Sequence, residues 1–269
     1  MPAVRTEPSV FLRCAAARLR TPAETRAGRL RFGVDLGTAT IVLCAVDERD
    51  EPAYWDFVES RAVRDGVVVD FHDAIRCVRE LKGRAQAALG SAVSEAVTAH
   101  PPGVPAADAR ACRYVLEQSE IACRELTDEI SAAQTLIDVR NGAVVDVGGG
   151  STGVGIVRDG QLVALTDAPG GGHHLDLILA GALKLDIEPA ERRKREGGSE
   201  IGQLLQPGIE RIAESIRRQI AGHTVDAVYL VGGALLVEGA ADVVAAYLGL
   251  PTVAYPHAEL ITPFGMALR

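Results

Sequence analysis

The sequence is short of basic residues, of paired cysteines and of any uninterrupted apolar run, and each shortage removes a class of function. Lys and Arg number 28 against 36 Asp and Glu, giving a net charge of −8 and a pI of about 5.3, so no basic footprint is available for a nucleic-acid backbone. Five cysteines, at positions 14, 44, 77, 112 and 123, form no CxxC pair and leave an odd count, which fits reduced thiols better than a disulfide framework or a zinc site. The most apolar long stretch, 227–250, carries Glu238, Asp242 and four glycines and cannot span a membrane. In residues 1–29, Arg13 interrupts the only apolar patch, so a signal-peptide core is missing there. A cytoplasmic location is expected.

What is present suits one two-lobed domain or two small ones, at 269 residues with 48% apolar and 24% charged, ordinary usage for a globular chain. Residues 1–29 stand apart. Between Pro8 and Pro22, helical spacing puts Phe11, Leu12, Ala15, Ala16 and Leu19 on one face and Arg13, Arg18 and Arg20 off it. This predicts a short amphipathic helix at 8–20 on a tether at 22–28. It either packs on its own protein, with the second lobe as the surface considered, or docks on another through Phe11, Ala15 and Leu19.

From residue 30, strand-like runs alternate with helical periodicity, which predicts an α/β architecture. The runs 31–35, 40–46, 53–58 and 67–71 are separated by Glu48-Arg49-Asp50 and Arg64-Asp65-Gly66 and read as antiparallel hairpins. Ile75, Val78, Leu81, Ala85 and Leu89 then recur at helical spacing, with Gly90 placed to stop the helix.

The most informative feature is an internal repeat. Phe32-Gly33-Val34-Asp35-Leu36-Gly37-Thr38-Ala39-Thr40 is echoed by Val144-Val145-Asp146-Val147-Gly148-Gly149-Gly150-Ser151-Thr152, the two aspartates lying 146 − 35 = 111 residues apart. Each copy is a strand ending in Asp, a glycine turn, a hydroxyl residue and a second strand, so two similar lobes are expected. A glycine turn lets successive backbone N–H groups converge as an anion nest. An aspartate at the strand end can hold magnesium through that ion's own waters. Two such turns are suited to a triphosphate.

These residues resemble the actin and DnaK-type ATPase superfamily: Val34 to Thr38 match its first phosphate loop, Asp146 to Ser151 its second, and Tyr229-Leu230-Val231-Gly232-Gly233-Ala234 its adenosine motif. Glu191-Arg192-Arg193-Lys194 is similar to the helix whose Glu and Lys flank the adenosine. Within the superfamily, Val63-Arg64-Asp65-Gly66, Pro101-Pro102-Gly103 and Gly171-Gly172-His173-His174-Leu175 resemble the EutJ family of ethanolamine utilization proteins.

The resemblance implies a two-lobed actin-like/DnaK-type ATPase fold of duplicated ribonuclease H-like lobes with a nucleotide cleft between. The expected domains are the N-terminal segment 1–29, a first lobe of 30–100 plus 256–269, and a second lobe of 101–255. It further implies ATP or ADP as ligand. Gly37, Thr38, Ala39, Gly148, Gly149, Gly150, Ser151 and Gly172 would lie at the phosphates, Asp35 and Asp146 at Mg2+, and Glu191, Lys194, Gly232, Gly233 and Ala234 at the adenosine, while Glu129 would orient water. His173 and His174 are expected at the mouth of the second lobe.

Two departures stand out. Where the superfamily's connecting helix usually begins Asp-Glu-Pro-Thr-Ala-Ala, this chain has Asp128-Glu129-Ile130-Ser131-Ala132-Ala133, losing a proline that pre-sets the first turn. The lysine that helps place the attacking water in DnaK-type enzymes has no clear match. Slow ATP hydrolysis coupled to lobe closure is therefore expected. The implied role is an ATP-dependent chaperone or assembly protein, with ethanolamine-pathway or microcompartment proteins as partners. A small-metabolite kinase, a filament former and a nucleotide-independent scaffold remain open as alternatives.

Overall fold

The computed structural model describes residues 6–23, 28–64 and 66–269; the expected tether and the turn at Asp65 lie partly outside them. The elements run α1 (Pro8–Ala16), β1 (Arg31–Leu36), β2 (Thr40–Val46), β3 (Pro52–Glu59), β4 (Val63–Arg64), β5 (Val67–Val68), α2 (Phe71–Leu89), β6 (Glu95–His100), α3 (Ala106–Gln118), β7 (Ala122–Asp128) and α4 (Glu129–Ile137). They continue with β8 (Gly142–Val147), β9 (Ser151–Arg158), β10 (Gln161–Pro169), α5 (Gly172–Leu183), α6 (Ile187–Glu196), α7 (Ser199–Gln219), β11 (Val228–Val231), α8 (Ala240–Leu248), β12 (Thr252–Ala254), a single 3₁₀ turn and α9 (Ile261–Ala267).

The chain divides into two compact units, Met1–Asp138 with Tyr255–Arg269, and Val139–Ala254. Each is built on one five-stranded sheet, ordered β3-β2-β1-β6-β7 in the first and β10-β9-β8-β11-β12 in the second. In both, the first three strands form an antiparallel meander and the last two add in parallel. A tight turn suffices for the meander, whereas each parallel addition needs a crossover, supplied here by helices. The duplication read from the aspartates is therefore a duplication of whole ribonuclease H-like sheets. The first unit reaches further than the expected boundary at residue 100, because β7 pairs with β6 and extends the first sheet.

Strand β6 shows how the first sheet is buried on both faces. Ala96 belongs to the apolar cluster containing Val78, Leu81 and Leu116 of α2 and α3, while its neighbours Val97 and Ala99 pack with Ala132 of α4 and Met266 of α9. Alternation along the strand makes these opposite faces. Helix α9 lies so close that a Cβ on Gly265 would overlap the Ala132 carbonyl. In the second unit, Leu205, Ile209, Ala213 and Ile216 of α7 recur every three or four residues and cover Val145, Val147 and Ile156.

Helix α2 begins earlier than its apolar period suggests. The Asp70 carboxylate caps it by accepting from the Asp73 N–H at 2.9 Å, which ends the expected strand 67–71 at Val68. Gly90 closes it in the left-handed conformation, φ 63°.

The N-terminal segment packs in cis, the first of the two readings, but on the first unit and not on the second lobe expected to receive it. Phe11, Leu12 and Ala15 are buried, and Phe11 meets Phe264 of α9 edge-on at 5.4 Å between ring centroids. The Trp55 indole donates to the Ala15 carbonyl at 2.9 Å. Beyond the helix the chain runs along the outer edge of β3, where the Arg20 N–H donates to Trp55 O (2.9 Å) and the Trp55 N–H to Arg18 O (3.2 Å). Fully buried Asp56 anchors it, taking Arg20 at 2.7 Å and Arg84 of α2 at 2.8 Å. Phe11 and Ala15, two of the three anchors expected for docking, are thereby covered, while Leu19 stays exposed. The segment also seals an edge strand that would otherwise present unpaired backbone groups. Among the described residues no helix is long and apolar enough to cross a membrane.

Candidate functional site

The two glycine turns close corresponding hairpins, residues 37–39 between β1 and β2 and residues 148–150 between β8 and β9. In the first unit Asp35 is half-buried near the end of β1. A Cβ on Gly37 would come within 2.7 Å of Thr40 O, and the Ala39 carbonyl accepts from the Ser60 N–H at 3.3 Å. Glu129 opens α4 and shares a neighbourhood with Asp35. Burial pushes the Cys112 thiol up to about 12, and the charges of Glu129 and then Asp35 push it the same way.

The start of α4 shows how the missing proline is offset. The Asp128 carboxylate accepts from the Ser131 N–H at 2.7 Å and the Ser131 hydroxyl at 2.5 Å, an N-cap contributing about 1 kcal/mol. Ile130 itself is fully buried. The altered residue stabilises the helix start through packing rather than backbone preorganisation. Nearby, the Val63-to-Gly66 and Pro101-to-Gly103 motifs meet, since a Cβ on Gly66 (φ 76°) would overlap the Pro101 ring.

The second unit gathers more of the expected residues. Asp146 is buried near the end of β8, and Gly232, φ 84°, lies over it so closely that a Cβ there would overlap the Asp146 carboxylate and come within 2.5 Å of Val147 O. The Ala234 N–H donates to Val147 O at 3.1 Å, joining the expected adenosine turn to the phosphate turn. Behind the latter, residues 170–173 supply three donors: Gly172 N–H to Gly148 O (2.9 Å), His173 N–H to Gly149 O (2.9 Å) and Gly170 N–H to Gly150 O (2.8 Å). The Thr152 hydroxyl fixes the brace by donating to Gly170 O at 2.7 Å. With its three carbonyls engaged, the turn keeps its Gly149 and Gly150 N–H groups out of backbone pairing among the described residues. Two successive N–H groups are thereby left for an anion. Half-buried Ser151 starts β9, and exposed Gly233 sits at the tip of the Gly232 turn.

Helix α6 carries Glu191 and Lys194 one turn apart, with different fates. Half-buried Glu191 pairs with Arg195 at 2.5 Å. Lys194 is buried, its Nζ 2.6 Å from Asp176 and donating to Gly172 O at 3.2 Å. Burial raises the Asp176 carboxyl above the ordinary range, and the Lys194 partner works against that rise. Exposed His173 and His174 stand in the first turn of α5. Sequence reasoning misses Asp176 and the bracing role of residues 170–173. The available signals are a carboxylate on the apolar side of α5, between Leu175 and Leu179, and a third glycine ahead of the motif.

Comparison with known proteins agrees with this architecture. The family model for the cell division protein FtsA matches residues 143–265. An MreB5 of Spiroplasma citri, solved bound to ADP, superposes with a TM-score of 0.73 at 16% identity, covering 88% of this chain and 94% of that one, which shows the actin-like fold alone. The ethanolamine utilization protein EutJ of Escherichia coli is 35% identical over 92% of this chain and 88% of its own length. The crystal structure of EutJ from Carboxydothermus hydrogenoformans, also 35% identical, has a TM-score of 0.92 over 97% of both chains. With a relative this similar along nearly its whole length and the same duplicated sheets, the chain belongs to the EutJ family.

Proposed function

We propose that this chain is an ATP-binding assembly or chaperone-like protein of ethanolamine utilization, with Mg-ATP and Mg-ADP as ligands and turnover slow. The observation that carries the reading is the second glycine turn, whose three carbonyls are drawn back by residues 170–173 while its Gly149 and Gly150 N–H groups stay out of backbone pairing among the described residues. Gly149 and Gly150, with the Ser151 hydroxyl, hold phosphate oxygens there, Gly148 shaping the turn with its own N–H bonded to Ser151 O, and Gly37, Thr38 and Ala39 offer the same chemistry in the first unit. Gly232, Gly233 and Ala234, with Glu191, take the adenosine. Asp35 in the first unit and Asp146 in the second each offer carboxylate oxygens, the donor type that suits magnesium, and the space beside Asp146 admits glycine backbone only. Bound, the ion supplies positive charge against the phosphates. Glu129 orients water. The ethanolamine utilization role named for the relatives supports the pathway, and the ADP held by the MreB5 relative supports the ligand.

Titration calorimetry with Mg-ADP and Mg-ATP tests this directly. Binding should be one to one and raise the melting temperature by mass action, about 2.7 kcal/mol at one hundred times Kd. Gly149→Val, which places side-chain methyls among the N–H groups, should remove the shift while the circular-dichroism spectrum is kept. No shift at millimolar nucleotide would replace this reading with a nucleotide-independent scaffold. Turnover should fall well below about 10 per second, and Glu129→Gln should lower it further without weakening binding.

A further inference from the structure

We propose that the buried Lys194–Asp176 ion pair holds the phosphate turn in its ligand-ready form, Lys194 acting as a positioning residue behind the phosphates and not as an adenosine contact. The proposal rests on the nucleotide reading above.

Both side chains are at least nine-tenths buried. One of the three ammonium donors is spent on the Gly172 carbonyl, and the ammonium sits 2.6 Å from the carboxylate of Asp176, in the second turn of α5. The same Gly172 donates its N–H to Gly148 O, so one residue separates the lysine from the turn. Gly172 is also where three elements converge: a Cβ added to it would lie 3.3 Å from Lys194 Nζ and 3.3 Å from the Ala234 side chain. Ala234 in turn holds Val147 O. The turn is thereby gripped at its entrance by the Gly232–Ala234 segment and at its first glycine by α5, and the ion pair fixes α5 against α6 at the point where both grips meet.

Net stability is a poor explanation for such a pair. Desolvating two charges roughly cancels their attraction, and apolar replacements of similar volume are often neutral. A directed bond to one particular carbonyl is something apolar packing cannot reproduce. Glu191, a turn earlier, is half-buried and pairs with Arg195, so on this proposal it alone of the two motif residues stays with the adenosine.

The test uses the full chain with Lys194→Met, Asp176→Asn and the double variant Lys194→Met/Asp176→Leu. Without ligand, amide exchange at Gly172 and His173 should quicken in both single variants; unchanged exchange overturns the proposal even if no nucleotide binds. With ligand, ADP should bind about tenfold more weakly to either single variant, the scale of one charge-assisted hydrogen bond, while adenosine binds as to the wild type. A matching loss for adenosine assigns Lys194 to the adenosine and sinks the idea. The double variant separates positioning from bulk stability: its melting temperature should recover and its ADP affinity should not, and recovery of both together would overturn the proposal. A wild type that binds neither ligand refutes the nucleotide reading instead, with the exchange result still deciding the brace.

Discussion

The turns at Gly37–Ala39 and Gly148–Gly150 have the same length and close corresponding hairpins, yet the second is braced on all three carbonyls while a single backbone bond from Ser60 reaches the first, among the described residues. The cause lies in the connection that leaves the third strand of each meander. After β10, three glycines lead straight into α5, and Gly171 lies so close to Gly148 that any Cβ would overlap its carbonyl. After β3, the β4–β5 hairpin intervenes before α2 begins, so no helix start is delivered to the first turn. Duplication has kept strands and turns, and the connections have diverged. The outer edges diverge too: β3 is sealed by residues 18–23, whereas β10 leaves Val163 and Leu165 exposed.

Removing residues 1–23 breaks this contrast most severely, because it leaves β3 as bare as β10. Phe11 and Leu12 alone contribute about 3–6 kcal/mol of burial. At roughly 2–4 °C per kcal/mol for a chain of this size, the first unit should melt some 10 °C lower. Amide protection in β11 and β12 of the second unit should be unaffected. Unchanged melting would show that the apolar face of α1 is not needed in cis and revive docking on a partner.

The next largest effect compares the turns themselves. Gly232→Ala forces a left-handed backbone on a residue with a side chain and drives its Cβ into Asp146 and Val147 O, a cost of roughly 2–4 kcal/mol. Gly37→Ala meets Thr40 O alone at 2.7 Å, without a positive φ, and should cost roughly half as much. Urea unfolding of the two variants gives the order directly, and the reverse order would mean that the first turn is the stiffer one.

The meander and its aspartates are legible from sequence because a strand–turn–strand unit is local: Thr40–Val46 is read to the residue, and α2 declares itself by its apolar period and closing glycine. The brace is not legible, because its three backbone bonds join groups 20 or more residues apart and involve no side chain. Lys194 shows the same limit from the other side. Its place in a motif marks it as functional, but whether an ammonium faces ligand or protein depends on Asp176, which shares no local pattern with it. The cis packing of α1 likewise needs a partner, Phe264, from the far end of the chain.

The smallest effect concerns the helices that cover the two meanders. Glu214 of α7 is held down to about 2 by hydrogen bonds from Arg217 and then Arg218. Asp73 of α2 is lowered first by Arg76, with Ser60 adding a 2.9 Å bond on its other oxygen. Both folded values lie below the unfolded ones, so each carboxylate contributes stability that is complete above its unfolded pKa and lost as pH falls through its folded one. For Glu214 that window runs from near 4.5 down to about 2. Glu214→Gln should flatten the fall in melting temperature across it, and Asp73→Asn should flatten the corresponding acid limb of the first unit. Salt tells the two apart. Arg217 and Arg218 are largely exposed, so about 1 M salt should screen the Glu214 contribution, while the neutral Ser60 bond keeps part of the Asp73 contribution. Equal salt sensitivity in the two variants would show that the two helices are held at their surfaces alike, and that the divergence between the units is confined to their turns and edges.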